Sequence, residues 1–370
     1  AWCKCDACQR ELVEQDNYER VSGAASEHVW GFVNQVAKEL EKTYPDKWVA
    51  GLAYWHYSYP PKTIRLAENI AVQICMQIRM PYWQKRQESD WDMANAWARE
   101  YPDMPKYAWV YYCFPEERSN RSPGVPDWHI FPGVFAHTIG TEFRKYRNIG
   151  VRGMYFNGFG YNIENYVTFA LLDDLEQDVD SLLREYFTKM FGPAGEALQK
   201  FYTLAEEIYV DPKNYPVADA GHQVEYFAWG FLGTAQRMKQ LGDLVAEAQA
   251  KVDKSGRAEQ KKRFELFKMN LWDYMAQGRR MFEEKMLAEK RASREIVCPH
   301  RLDSVVVNEL REVTWEDAQV LEAWQPLPGS GTHRHVLGDI LYDKKYLYVR
   351  LRDLAPLKEP VSRDDPELGD

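Results

Sequence analysis

The chain has 370 residues and a net charge of −9, because 56 Asp and Glu residues outnumber 47 Lys and Arg residues. This acidic balance argues against a nucleic-acid partner, which would require a basic surface. No stretch approaches the roughly 20 consecutive apolar residues of a membrane helix, so we expect no membrane span. Aromatic residues make up 14% of the chain, with 13 Trp and 23 Tyr, and their apolar faces with polar rims suit sugar ligands.

The opening stretch "AWCKCDACQR" places Cys3, Cys5 and Cys8 close together. Three thiolates at this spacing can supply ligands to a structural zinc ion. Because the sequence shows no second pair of cysteines at zinc-finger spacing, reduced or partly disulfide-bonded loop cysteines are the preferred interpretation, and we expect no cofactor. The stretch has neither an initiator Met nor a signal peptide, and we interpret this end as truncated.

Helical patterns alternate with short apolar runs between about residues 24 and 170. The first helix is predicted to begin at an N-cap, Ser26, and to end before Pro45. Its buried face is predicted to carry Val29, Val33, Val36 and Leu40. Four runs are typical of buried strands, namely "KWVAGLAYW", "NIAVQICMQ", "KYAWVYYCF" and "VRGMYFNG". Strands that alternate with helices predict βαβ units and a parallel sheet.

These elements predict an α/β fold in three parts. Residues 1–170 are expected to form the C-terminal half of a (β/α)8 TIM-type barrel, since four parallel strands alone would leave an open edge. Residues 171–297 have a purely helical pattern, in which one helix is predicted to stop at Gly192. Residues 298–370 contain β-like runs such as "HVLGDILYD" and "KYLYVRLRD", which predict the start of a truncated β-sandwich.

In barrels of this kind the functional groups gather at the carboxyl ends of the strands. Aromatic and hydrogen-bonding side chains follow all four predicted strands, which predicts a concave sugar-binding pocket. The predicted substrate-binding residues are Trp55, His56, Tyr57, Tyr59, Trp83, Tyr111, Tyr112, Asn157 and Tyr161.

Glycoside cleavage normally uses two carboxylates, or one carboxylate and an acetamido group of the substrate. No carboxylate pair directly follows a predicted strand. Glu116 and Glu164 are the remaining catalytic candidates, although solvated charges are the preferred interpretation of both. The catalytic residues are therefore unassigned.

Several stretches, in this order, resemble the glycoside-hydrolase-like barrel family catalogued as domain of unknown function 4838. They are "CKCDAC", "FVNQVAKELEKTYPDKWVAGLAYWHYSYPP", "NIAVQIC", "GVRGMYFNG" and "DVDSLLREYFTKMFGPAGEALQKFY", and together they cover about residues 1 to 290. The resemblance implies a relation to endo-β-N-acetylglucosaminidases and to hexosaminidase and glucuronidase barrels. It also implies that the four strands are the fifth to eighth of a barrel and that the catalytic acid lies before Ala1.

Two further expectations come from resemblance. Many relatives carry a glutamate on the eighth strand where this chain has Asn157. The tail, with Trp315, Ala318 and the "YD" at Tyr342 and Asp343, is similar to the opening of carbohydrate-binding β-sandwich modules.

We therefore expect a fragment of a secreted, periplasmic or cell-surface bacterial glycoside hydrolase-like protein. Its partner would be an oligosaccharide or polysaccharide that contains an amino sugar or an acidic group. The alternative, which Asn157 favours, is a carbohydrate-binding protein that has a glycosidase-like barrel and no catalysis. The sequence sets neither the linkage, nor the mechanism, nor the oligomeric state.

Overall fold

The structure is a computed structural model that describes residue 5 and residues 22–112, 128–158, 162–217, 221–292, 319–321, 336–342 and 347–353. The chain forms two compact units, one of Ala1–Arg121 with Pro126–Glu283 and the other of Ser122–Val125 with Glu284–Asp370. The predicted domain boundaries at residues 170 and 297 stay a prediction.

The first unit contains a four-stranded sheet in the order β1-β2-β3-β4, in which every neighbouring pair is parallel. The strands are β1 Val49–Ala53, β2 Ile70–Met76, β3 Lys106–Tyr111 and β4 Val151–Asn157. Each strand lies inside one of the four predicted apolar runs. The predicted parallel sheet and the mixed α/β class are therefore confirmed. Closure of this sheet into a barrel stays a prediction.

Three helices pack against the sheet, α1 Ser26–Thr43 on β1, α2 Gln84–Glu100 on β2 and α3 Ala136–Asn148 on β4. Val72 and Val110 on the covered face are fully buried. The other face carries Leu52, Tyr107 and Tyr155, which are 37%, 38% and 49% exposed. We call this second face the open sheet face, because no described helix covers these three side chains.

The predicted face of α1 is half-buried at Val29, Val33 and Leu40, but the fully buried side of the helix is a different one. Trp30, Asn34 and Ala37 are buried, whereas Val36 is 40% exposed. The Trp30 ring fixes this orientation because it packs so closely under β1 that a Cβ on Gly51 would lie 2.5 Å from it. Asn34 adds two hydrogen bonds, donating to the Arg65 carbonyl at 3.1 Å and accepting from the Ala67 amide at 2.7 Å.

The predicted N-cap of α1 is wrong. Ser26 is the first helical residue, and the preceding residue, Ala25, makes no side-chain cap. The Ser26 hydroxyl instead donates to the Tyr59 carbonyl at 2.6 Å. The hydroxyl thus ties the helix start to the turn after β1.

The remaining helices of this region are α4 Asn162–Asp173, α5 Val179–Phe191, α6 Gly195–Val210, α7 Ala235–Ser255, α8 Ala258–Phe267 and α9 Asp273–Ala292. Two π-helical turns, Phe227–Leu232 and Lys268–Trp272, interrupt them. The predicted stop of α5 is confirmed, since Gly192 has a φ of +55°. None of the described helices combines the length and apolarity needed to cross a membrane.

The second unit contains an antiparallel sheet of β5 Gln319–Leu321, β6 Val336–Tyr342 and β7 Leu347–Asp353. Both quoted β-like runs form strands, as predicted. Arg350 donates across the sheet to the buried Asp339 at 2.7 Å. Leu347, Val349 and Leu351 alternate along β7 and are more than half exposed, at 62%, 54% and 61%. A complete sandwich stays a prediction.

Candidate functional site

The carboxyl ends of the four parallel strands lie at one edge of the sheet. Tyr54 directly follows β1, while Tyr111 and Asn157 end β3 and β4 and are register neighbours. With Trp55 and Tyr57, these residues form what we call the strand-end surface. Tyr54 contacts Trp55 and Tyr57 edge-on, at ring-centroid distances of 5.8 Å and 6.4 Å. The structure therefore places these side chains at one edge of the sheet.

The turn after β1 holds Trp55 in an unusual backbone conformation. Within the described residues, Trp55 is the one non-glycine residue with positive φ, at +51°. A bulky residue adopts this region only when its surroundings enforce it. Here the Trp55 carbonyl accepts from the Ser22 amide at 3.1 Å and from the Ser58 hydroxyl at 2.8 Å. Trp55 as a whole stays 36% exposed.

Two buried indoles hydrogen-bond the backbone after Trp55 from the interior of the protein. Trp30 donates to the Tyr57 carbonyl at 3.0 Å, and Trp97 donates to the Ser58 carbonyl at 2.6 Å. The two indole rings contact each other at 4.7 Å between centroids. Because the carbonyls are bound from inside, the side chains of the turn are presented at the surface on a rigid support.

Cys75 of β2 and Tyr111 of β3 lie close enough together to influence each other's pKa. Burial raises the pKa of the Cys75 thiol to about 12. Burial, followed by the proximity of Cys75 and Tyr54, raises the pKa of Tyr111 above its usual value. Burial also raises the pKa of Tyr57. All three groups are protonated at neutral pH, so they can hydrogen-bond a ligand but are not activated nucleophiles.

Three predicted residues lie beside the strand-end surface. His56 is half-buried, with its ring 5.9 Å from that of Trp55. Tyr59 donates to the Asp92 carboxylate at 2.7 Å. Trp83 precedes α2 and contacts the His222 ring edge-on at 5.9 Å.

Two predicted residues lie in the core. Tyr112 is 3% exposed, and its hydroxyl is 2.7 Å from that of Thr168. Glu164 has no exposed surface; its Oε1 accepts from the Phe135 amide at 3.2 Å and from the Tyr202 hydroxyl. The solvated reading of Glu164 is therefore wrong, because this carboxylate packs between helices.

The other predicted positions, Cys3, Cys8, Glu116 and Tyr161, lie outside the described residues. Cys5 is described and exposed. In the described ranges, no three His, Cys, Asp or Glu side chains lie close enough together to hold a metal ion. Since two of the three clustered cysteines are outside those ranges, the choice between zinc and loop cysteines stays open.

The sequence did not predict how the chain before α3 is anchored. His129 stacks on Tyr274 of α9 with ring centroids 3.9 Å apart and an interplanar angle of 1°. Gln223 bonds both the amide and the carbonyl of Phe131, at 3.1 Å and 2.8 Å. Trp229, in a π-helical turn, donates to the His129 carbonyl at 2.6 Å. Residues that come after β4 in the chain thus hold residues 129–131, directly ahead of α3.

Fold and site together define a mixed α/β protein whose parallel sheet gathers aromatic and polar side chains at one edge. Residues 1–117 match the model of the family described as Domain of unknown function (DUF4838). The predicted resemblance is thus confirmed over a range that includes β1, β2 and β3, and it stays a prediction for residues 118 to about 290. No curated protein and no solved structure matches the chain.

Proposed function

We propose that this protein is part of a glycoside hydrolase-like protein that binds a glycan at the strand-end surface. The observation that carries the proposal is the rigid presentation of Trp55 beside Tyr54, Tyr57 and Tyr111. An exposed indole face suits stacking on a pyranose ring, and protonated phenols suit hydrogen bonds to hydroxyl groups. An amino-sugar-containing or acidic glycan is the proposed ligand class, which rests on the family resemblance.

A (β/α)8 barrel is the proposed architecture around this surface. Parallel sheets are almost always covered on both faces. The helices cover one face, while Leu52, Tyr107 and Tyr155 remain exposed on the open sheet face. Closure of a curved sheet would turn this face into the packed barrel interior and would leave the strand-end surface at the mouth.

Asn157 favours the alternative of binding without catalysis. It ends β4 at the strand-end surface and carries an amide where, according to the resemblance, many relatives have a glutamate. The binding alternative therefore predicts that a glycan is retained but not cleaved.

The proposal is tested by titrating the full chain with a panel of N-glycans and glucuronides, using calorimetry, with mass spectrometry to detect cleavage. Trp55→Ala should weaken binding at least about fivefold, because aromatic stacking contributes on the order of 1 kcal/mol. Trp48→Ala is the matched control, since Trp48 is 55% exposed but precedes β1 at the opposite edge. It should leave the affinity unchanged.

Two results would contradict the proposal: no panel member binds the wild-type chain, or the two tryptophan variants lose affinity equally. Cleavage would support the enzyme. Binding without cleavage would fit both readings, because the resemblance implies that the catalytic acid lies before Ala1.

A further inference from the structure

The first turn of α3 is held by carboxylates from other helices. Its N-cap, Phe135, has no side-chain cap, so the first amides of the helix need other acceptors. The Phe135 amide donates to Glu164 of α4 at 3.2 Å, and the His137 amide donates to Glu206 of α6 at 2.7 Å. Negative charge at a helix N-terminus is also favourable to the helix dipole.

The His137 ring lies between two carboxylates. Its Nδ1 is 2.6 Å from Glu206 Oε2, and its Nε2 is 3.2 Å from Asp180 Oδ1 of α5. An ionised carboxylate only accepts hydrogen bonds, and a neutral imidazole has only one N–H. Both contacts are therefore hydrogen bonds only if both ring nitrogens carry protons.

We propose that His137 is a charged clamp that joins α3 to both α5 and α6 when it is protonated and keeps at most one of its two ring hydrogen bonds when it loses its proton. The clamp positions the first turn of α3, the helix that follows the third strand end. It does not depend on the glycan proposal, because none of its residues belongs to the strand-end surface.

The charges around His137 support a cation. The negative charge comes from Glu206 of α6 and from Asp180 and Asp178 at the start of α5, while Arg144 is a positive charge on the same helix as His137. Arg144 donates to the Gly140 and Gln177 carbonyls, whereas Glu206 and Asp180 both bond the ring. The hydrogen bond to Glu206 is the largest cause that raises the pKa of His137, to about 9.

The raised pKa of His137 determines how stability depends on pH. The folded chain holds the proton more tightly than the unfolded chain, whose histidine has a pKa of about 6.5. The contribution of the clamp to stability is complete below about pH 6.5 and is lost as the pH rises through about 9. Because His137 is 41% exposed, water screens the interaction and reduces its size.

The first test is an NMR titration of the full chain with 13C-labelled histidine. His137→Gln assigns the resonance, and the wild-type His137 signal should titrate with a pKa of about 9. Glu206→Gln should return the pKa toward about 6.5, while Asp180→Asn should lower it less. A wild-type His137 that titrates near about 6.5 would overturn the proposal.

The second test is thermal unfolding at pH 7 and pH 10. The wild-type chain should lose about tenfold more in its folded-to-unfolded ratio between these values than His137→Gln does. Asp180→Asn removes only the exposed contact and keeps the test usable if the other variants fold poorly. His28→Gln, on α1, is the control and should retain the wild-type pH profile. Equal profiles for the wild type and Asp180→Asn, together with an unshifted His137 signal, would refute the clamp.

Discussion

At the scale of a single residue, Glu164 is a carboxylate whose surroundings oppose its charge. Burial is the main cause that raises its pKa to about 7, against the lowering effect of the hydrogen bonds from Tyr202 and the Phe135 amide. Within the described residues its Oε2 has no hydrogen-bond partner. An ionised Glu164 is therefore costly, and this cost appears only above the pH at which the group loses its proton.

Glu164→Gln should flatten one part of the pH profile of stability. The raised folded pKa means that the wild-type chain loses stability, by at most about 3 kcal/mol, as pH rises from about 4.5 to 7. Glutamine keeps an oxygen acceptor for Tyr202 and Phe135 but does not titrate. Melting temperatures by circular dichroism at pH 4.5, 6 and 8 would measure the difference.

Glu207→Gln is the control for this experiment, because Glu207 is exposed on the same helix as Tyr202. It should keep the wild-type profile. Parallel profiles of Glu164→Gln and the wild type across this window would contradict the prediction. The pH range over which Glu164 acts, about 4.5 to 7, lies mostly below that of His137, about 6.5 to 9, so the two groups can be separated.

The sequence selected Tyr111 and Tyr112 alike as site residues, but only Tyr111 lies at the strand-end surface. The rule that functional groups follow strand ends selected both residues, but successive side chains of a strand point to opposite faces. Tyr111 therefore reaches the strand-end surface while Tyr112 enters the core. Trp55's positive φ and the His137–Glu206 contact could not be predicted, because they depend on distant parts of the chain.

At the scale of an element, the strands were easier to predict than the orientation of α1. Short apolar runs between turn residues indicate a strand regardless of what covers it. The face of α1 depends on a single large residue, Trp30, and on the hydrogen bonds of Asn34. A count of apolar residues at helical spacing favoured the valines, because it gives Asn34 no weight as a buried residue.

A comparison of two glycines with positive φ, Gly192 at the end of α5 and Gly150, separates the cost of backbone strain from the cost of steric overlap. Gly192 has a φ of +55°, and an added Cβ would lie 2.2 Å from the buried Gln260 side chain. Gly150 has a φ of +79°, with nothing within 4 Å of such a Cβ. Gly192→Ala should therefore destabilise the chain by about 1–3 kcal/mol more than Gly150→Ala.

Urea unfolding of both glycine variants would measure this difference. Gly150→Ala is the matched control because it carries the cost of positive φ alone. Equal losses would mean that Gln260 moves away without cost.

At the scale of the whole molecule, the main question is what covers the open sheet face. The sequence predicted the parallel order of the sheet, since alternating strands and helices leave few other topologies. It could not show which strand positions would stay exposed, because exposure depends on what packs against each face of the sheet. Tyr155 and Tyr107 read as ordinary core residues in the sequence but are exposed here.

Lysine substitutions test this arrangement. Tyr155→Lys should change the free energy of unfolding by less than about 1 kcal/mol, since the side chain is 49% exposed. Val110→Lys, on the covered face of β3, should cost at least about 3 kcal/mol or prevent folding. Urea unfolding measures both. A large loss for Tyr155→Lys would mean that this face is covered in solution, and gel filtration would show whether a second copy covers it.

The π-helical turn Lys268–Trp272 affects where the chain can lose a residue in evolution. A π-helical turn holds one residue more than the α-helical turn that would span the same stretch, so it takes up the extra residue without rotating the helix that follows. Tyr274 therefore keeps its place against the His129 ring. Loss of one residue from this turn would restore a regular α-helix with Tyr274 still in phase, whereas loss of one residue within α9 would rotate all that follows it by about 100°.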